Sequence, residues 1–376
     1  MENLAKEFIG LDNKTYFYTG AECPSLKSNE VAVRQYVNDK SLGEKGREKL
    51  YVVEEKLKNN LAKILNCKEA ELSFAGNASE VMNNILDSLD IPSGSNIVIN
   101  DLEYPSVVFP LLNLQSKGVE IRLIESRQGE VPLADYEKVI DENTYLVAVS
   151  HVSYVNGFKH DLKKLNILTK RKGALLLVDA TQSLGVTNVD SEYCDFIIAS
   201  SYKWLLGAHG VGVCYISEEM IQNLKPRRVG WRSVKEIFHK ERFTEYDFAE
   251  KATQLELGYN SYPTIYILEN STRFLLRVGI DEIQNKVGQL GDYLIEKLES
   301  YGFEVITPKN QADRAGNIAL KARDGAGVMT ELLKRNVHIW GGDGRVRVSI
   351  NFYNTEDEID KLMTELISVK EELIDE

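Results

Sequence analysis

Between Leu72 and Ser217, short apolar runs alternate with stretches whose apolar residues recur at helical spacing. The runs at 71–75, 97–100, 120–124, 145–150, 174–179, 196–200 and 211–216 have the length and β-branched content of buried strands. Helical spacing fills most of the gaps, at 79–89, 106–116, 133–140 and 162–171. Parallel strands need long crossovers, which helices supply, so this order predicts a mostly parallel seven-stranded sheet covered by helices on both faces.

The remaining pattern is different. Residues 230–254 are irregular and aromatic and read as a connecting segment. A helical pattern over 262–301 breaks near Gly279, and a strand at 317–320 and a helix at 328–334 follow. Two strands then flank Asp343-Gly344, a hairpin signal, and Thr355 and Glu358 have capping-box spacing ahead of a last helix. The expected organisation is an N-terminal arm over 1–24, a large α/β domain over 25–260 and a small α+β domain over 261–376.

Composition narrows the function. The chain has 376 residues, 43% of them hydrophobic and 27% charged, enough for a large core. A net charge of −12 argues against nucleic acid or an anionic membrane as partner. The start is too polar for a signal peptide, and no apolar run approaches membrane-spanning length. Four scattered cysteines without a C-x-x-C pair fit free thiols in a cytoplasmic protein, and the five histidines lack metal-ligand spacing, so no metal is expected.

Candidate chemistry gathers at the predicted strand ends, where open α/β sheets bind ligands. Ser200-Ser-Tyr-Lys203 leaves the end of one strand, and Asp179 ends another, with Gln182 three residues on. A desolvated lysine opposite a carboxylate is the pair that pyridoxal phosphate chemistry requires: an amine for the Schiff base and an anion for the pyridine nitrogen. Ser73-Phe-Ala-Gly-Asn-Ala-Ser-Glu80 turns from strand to helix and reads either as a phosphate cradle or as a simple helix cap. Asp179 alone reads equally as a turn former, and Tyr104 as a stacking ring or a packed edge residue. Arg345 and Arg347 alternate onto one strand face, either to clamp a carboxylate or to meet solvent. Gly207-Ala-His-Gly-Val-Gly212 precedes a strand, so it reads as a turn supporting the lysine loop rather than a nucleotide loop.

Together these segments resemble the class V aminotransferase family of fold-type I pyridoxal-phosphate enzymes, which includes cysteine desulfurases, isopenicillin N epimerase-like proteins and C–S lyases. The resemblance runs from Tyr18-Thr-Gly20 to Tyr353-Asn-Thr355 and is most specific in Val178-Asp-Ala-Thr-Gln-Ser-Leu-Gly185, Ser200-Ser-Tyr-Lys203 and Arg347-Val-Ser-Ile-Asn-Phe-Tyr-Asn354. It implies that Lys203 carries the cofactor, Asp179 pairs with the pyridine nitrogen and Gln182 contacts the ring oxygen. It further implies that Ala78, Ser79, Ser200 and Tyr202 hold the phosphate, Tyr104 stacks on the ring and Arg347 clamps the substrate carboxylate. In the family's homodimer a partner segment completes each site, and Gly258-Tyr259-Asn260 looks like that segment.

Three departures stand out. Tyr202 replaces a common His, Tyr259 replaces a Thr, and His151-Val-Ser-Tyr154 lacks the usual Asn, for which Asn156 is the expected substitute. A fourth is the absence of cysteine from Val337-His-Ile-Trp-Gly-Gly-Asp-Gly-Arg345, where desulfurases carry their nucleophile. The expectation is an enzyme acting on a small amino acid through an external aldimine. Aminotransferase is the first reading, C–S lyase or epimerase the alternative, and a non-catalytic cofactor-binding homologue a more distant one. A persulfide-forming desulfurase is not expected. Specificity is expected in the arm over 16–24 and the loop over 337–342.

Overall fold

From the N-terminus, β1 (Thr15–Tyr16) leads into two helices, α1 (Ser28–Lys40) and α2 (Glu44–Leu65). The alternating region follows as β2 (Leu72–Ala75), α3 (Ala78–Ser88), β3 (Asn96–Asn100), α4 (Pro105–Asn113), β4 (Glu120–Ile124), α5 (Leu133–Val139), β5 (Thr144–Ser150), α6 (Leu162–Lys172), β6 (Leu175–Asp179), β7 (Phe196–Ser200) and β8 (Gly212–Ile216). These strands form one seven-stranded sheet in the order β2-β8-β7-β6-β5-β3-β4, in which β8 alone runs against the rest. The computed structural model describes residues 4–375, so the first three residues of the expected arm lie outside the described residues.

Except at the edge strand β4, where Leu123 is 56% exposed, both faces of this sheet are buried, which explains why its strands read as continuous apolar runs. Successive side chains point to opposite faces. Val147, Val149, Leu176, Val178, Ile197 and Val213 enter one core, while Leu146, Ala148, Leu177, Phe196, Ile198 and Cys214 enter the other. The mostly parallel α/β architecture expected from the alternation is therefore present.

After α7 (Glu218–Asn223) the chain crosses the irregular segment and enters α8 (Tyr262–Val278) and α9 (Ile280–Ser300). The last part comprises β9 (Asn317–Lys321), α10 (Gly325–Leu333), β10 (Val337–His338), β11 (Trp340–Gly342), β12 (Arg345–Ser349) and α11 (Glu356–Ser368), which opens with the expected capping box. Its sheet has the order β11-β12-β9, antiparallel throughout. Two connections tie the parts together: β1 pairs in parallel with β10, and α8 packs along α1 and α2. Among the described residues, no helix is long and apolar enough to cross a membrane.

Candidate active site

Lys203 sits in a loop that leaves β7 and is held shut by its own backbone. Gly207 N donates to Ser201 O at 2.9 Å, and Ser201 Oγ donates to Ala208 O at 2.6 Å. A Cβ on Gly207 would lie 2.8 Å from Ser201 O, so glycine is what allows this closure. Leu206 takes φ +57°, a costly conformation for a branched residue that the surrounding packing must sustain. The expected supporting turn is thus present, and Lys203 within it is only 8% exposed.

Burial pushes the Lys203 ammonium down to about 8. The Arg347 charge adds to this, while Asp179 and Glu22 oppose it. Asp179, at the end of β6, is buried and accepts from Thr181 N at 2.8 Å. Burial raises its carboxyl, with the Thr181 hydrogen bonds and the Lys203 charge pulling back. Both residues line one cavity of about 180 Å³ with Ala78, Ser79, Tyr104, Gln182, Ser200 and Tyr202. Eight of the residues singled out in the sequence therefore converge.

Their individual contacts refine the expected roles. Gln182 gives one Nε2 hydrogen to Gly20 O at 2.8 Å, and its Oε1 accepts from Trp204 Nε1 at 2.8 Å and Asn317 Nδ2 at 3.1 Å. One amide hydrogen is left for a ligand. The Tyr104 ring lies 5.5 Å from Lys203 Nζ and makes an edge contact with Tyr154 at 5.0 Å. Tyr202 stacks on His209 at 4.0 Å, and His209 in turn faces Glu22 at 3.4 Å.

At the other end of the cavity, Asn77 caps α3 by accepting from Glu80 N at 2.9 Å, so the cap reading of that residue is met. Ala78 and Ser79 begin the helix and line the cavity, where helix-start N–H groups favour an anion. The turn lies directly on β8. A Cβ on Gly212 would sit 2.4 Å from the Asn77 carbonyl carbon. An amine, a buried carboxylate and a helix start with hydroxyls thus share one enclosure, and this donor set fits pyridoxal phosphate.

Arg347 is 3% exposed, and its Nη1 donates to Tyr154 O at 2.7 Å. Burial, with Arg345 next, lowers it to about 10. The solvated-face reading of this strand is excluded, since Arg345 is also buried.

Two expectations need comment. Asn156 does not reach the cavity: Nδ2 donates to Gly129 O at 2.6 Å and Ile306 O at 3.1 Å, and Oδ1 accepts from Phe158 N. Its amide is spent on joining loops, so it cannot replace the missing Asn. Gly258, Tyr259 and Asn260 also lie away from the Lys203 cavity of their own chain, and Tyr259 is 52% exposed beside Tyr51 and Trp231.

The sequence reading passed over several lining residues, namely Ser106, Ser150, Val152 and Thr181. It also passed over Glu103, buried behind Asp179, whose Oε2 accepts from Ser150 N and Oγ, both at 2.7 Å. Burial raises Glu103 to about 7. An acidic residue just before Tyr104 was the available signal.

The family described as Aminotransferase class-V matches residues 30–362. The chain is 25% identical over 311 residues to the uncharacterized aminotransferase YcbU of Bacillus subtilis, covering 82% of each. It is 28% identical over 335 residues to a probable cysteine desulfurase of Pyrococcus abyssi, covering 84% of this chain and 81% of that one. In structure it is similar to C-DES, solved as a mutant with glycine covalently linked to its PLP cofactor. That match has a TM-score of 0.89 and 20% identity, over 96% of this chain and 98% of the other. Relatives named desulfurases leave the expected exclusion of a persulfide-forming desulfurase without support.

Proposed function

The chain belongs to the class V aminotransferase family, and from that premise we propose that it moves an amino group from an amino acid to a 2-oxo acid. It is a pyridoxal-phosphate-dependent enzyme, a transferase or a lyase. The observation that carries the cofactor chemistry is Lys203, a nearly buried amine lowered to about 8 that shares a cavity with the buried carboxylate of Asp179; the choice of amino transfer rests on the family description and on the YcbU relative.

Bound there, pyridoxal phosphate supplies an aldehyde for the substrate amine and a ring that accepts the electron pair released at Cα. Asp179 offers the negative charge against which a ring nitrogen keeps its proton. Ala78, Ser79, Ser200 and Tyr202 hold the phosphate, Tyr104 covers the ring and Gln182 directs its remaining N–H towards the ring oxygen. Lys203 Nζ, more easily deprotonated than an exposed lysine, takes the proton from Cα and later returns one. Arg347 holds the substrate carboxylate and so fixes which bond at Cα faces Lys203.

A second reading, C–S cleavage of cysteine or cystine, is favoured by the relatives named cysteine desulfurase. It needs the same lysine and carboxylate and differs only in what leaves the substrate. The two separate when holoenzyme is incubated with amino acids and a 2-oxo acid. Amino-group exchange is expected. Release of ammonia, pyruvate or sulfide from cysteine or cystine, without exchange for any donor, replaces the first reading with the second. A visible absorption band that borohydride bleaches, and that Lys203→Ala abolishes, is expected in either case.

A further inference from the structure

Arg345 has no part in the chemistry just described, yet it is built into the same face as Arg347. The two guanidinium carbons lie 4.8 and 5.2 Å from the Trp340 ring, which β11 places opposite Arg347. Tyr154, which lines the Lys203 cavity, touches both: its carbonyl accepts from Arg347, and its ring lies 5.5 Å from the Arg345 guanidinium. Two cations are therefore side by side, 7% and 3% exposed. Placing like charges together out of water is costly unless an anion joins them.

The protein supplies that anion only weakly. Among the described residues, the acidic partner of Arg345 is Asp343, whose Oδ2 lies 3.5 Å from Nη2 without a hydrogen bond and whose side chain is 72% exposed to water. Arg345 Nε and Nη2 have no hydrogen-bond partner, and neither has Arg347 Nε. Nε and Nη2 form one edge of the guanidinium fork, the edge a carboxylate takes with both oxygens. A cation kept only for packing over Trp340 and Tyr154 gains nothing from leaving that edge open, since buried N–H groups without partners destabilise the fold.

We infer that Arg345 receives a second anionic group on the substrate, so that the enzyme selects amino acids with an acidic side chain. The inference rests on the reading that Arg347 takes the α-carboxylate. Residues two apart on a strand are separated by roughly 6–7 Å. Side chains leaning together can bring that spacing within the span of the two acid groups of a four- or five-carbon acidic amino acid. A side-chain carboxylate and a side-chain sulfinate present the same two-oxygen edge.

The test compares holoenzyme with Arg345→Gln, Arg345→Lys and Arg347→Gln. L-aspartate, L-cysteine sulfinate and L-alanine are titrated through the cofactor band, and succinate binding is followed by calorimetry. Wild type is expected to prefer the two acidic amino acids, and Arg345→Gln to reduce that preference roughly 100-fold. Arg345→Lys, which keeps the charge without the fork, should fall between, while Arg347→Gln weakens all three ligands. A stronger response to one acidic ligand tells carboxylate from sulfinate. No preference in wild type, or equal losses for acidic and neutral ligands in Arg345→Gln, overturns the inference while leaving the cofactor reading intact. Absence of the cofactor band overturns that reading, and succinate binding that ignores Arg345 then overturns this one separately.

Discussion

At the scale of the residue, Lys203 carries a prediction about pH. Its amine is lowered because burial penalises the charged form, and Arg347 adds to this. The free base, the form that attacks an aldehyde, therefore gains population as pH rises through about 8. Recombination of the apoenzyme with pyridoxal phosphate should accelerate about tenfold per pH unit below that midpoint and level off above it. In Arg347→Gln a repelling charge is gone, so the midpoint should move up. A flat profile between pH 6 and 9, or a midpoint unmoved by Arg347→Gln, would count against this account. Lys203 and Asp179 were legible in the sequence because Asp179 ends one apolar run and Lys203 follows another within a few polar residues, and strand ends are where ligand groups collect. Asn156 was misread because its partners, Gly129 and Ile306, meet it only through folding. Glu22 was not singled out for the same reason: it approaches Lys203 from nearly two hundred positions away. Alternation put Arg345 and Arg347 on one face, but nothing local said that the face was covered.

At the scale of the element, the seven strands were legible to within a residue because their apolar runs have sharp ends and, except in the edge strand β4, both their faces are buried. The helices α1 and α2 were not singled out. In α1 only Ala32 among the apolar residues is buried, so no apolar stripe marks it in the sequence. The meeting of β8 with the turn after β2 was equally hidden, and it matters for cofactor binding. Gly212 pairs with both Ala75 and Ser200, placing it beneath the start of α3. In Gly212→Ala the new methyl would press on Asn77, and the turn must lift away from the strand. Overpacking of this kind typically costs about 1–3 kcal/mol. Here part of that should appear as weaker cofactor retention, because Ala78 and Ser79 move with the turn. Dialysis followed by the visible band measures retention, and urea unfolding of the apoenzyme measures the remainder. Unchanged retention in a folded Gly212→Ala protein would show that the turn does not hold the phosphate.

At the scale of the whole molecule, the placing of Gly258, Tyr259 and Asn260 away from the Lys203 cavity of their own chain has a definite consequence if they serve a site at all: the site is another subunit's. The surface around them suits an interface. Tyr259 is 52% exposed and Trp231, in edge contact with it at 4.7 Å, is 37% exposed, and in the connecting segment Phe238 and Phe243 are 83% and 85% exposed, apolar surface of the kind a subunit contact covers. Sedimentation should therefore give a dimer. Complementation then tests whether the dimer completes the site. Lys203→Ala removes the amine from its own cavity, and Asn260→Trp blocks the cavity of the partner. Each homodimer should be inactive. In a hybrid, one cavity receives both defects, and the other has an intact Lys203 with an intact Asn260 supplied by the Lys203→Ala chain. Random exchange in an equal mixture makes half the dimers hybrids with one good site in two, so about a quarter of wild-type activity should return. A dimer that forms but regains no activity on mixing would confine the working site to a single chain and leave Gly258–Asn260 as interface packing.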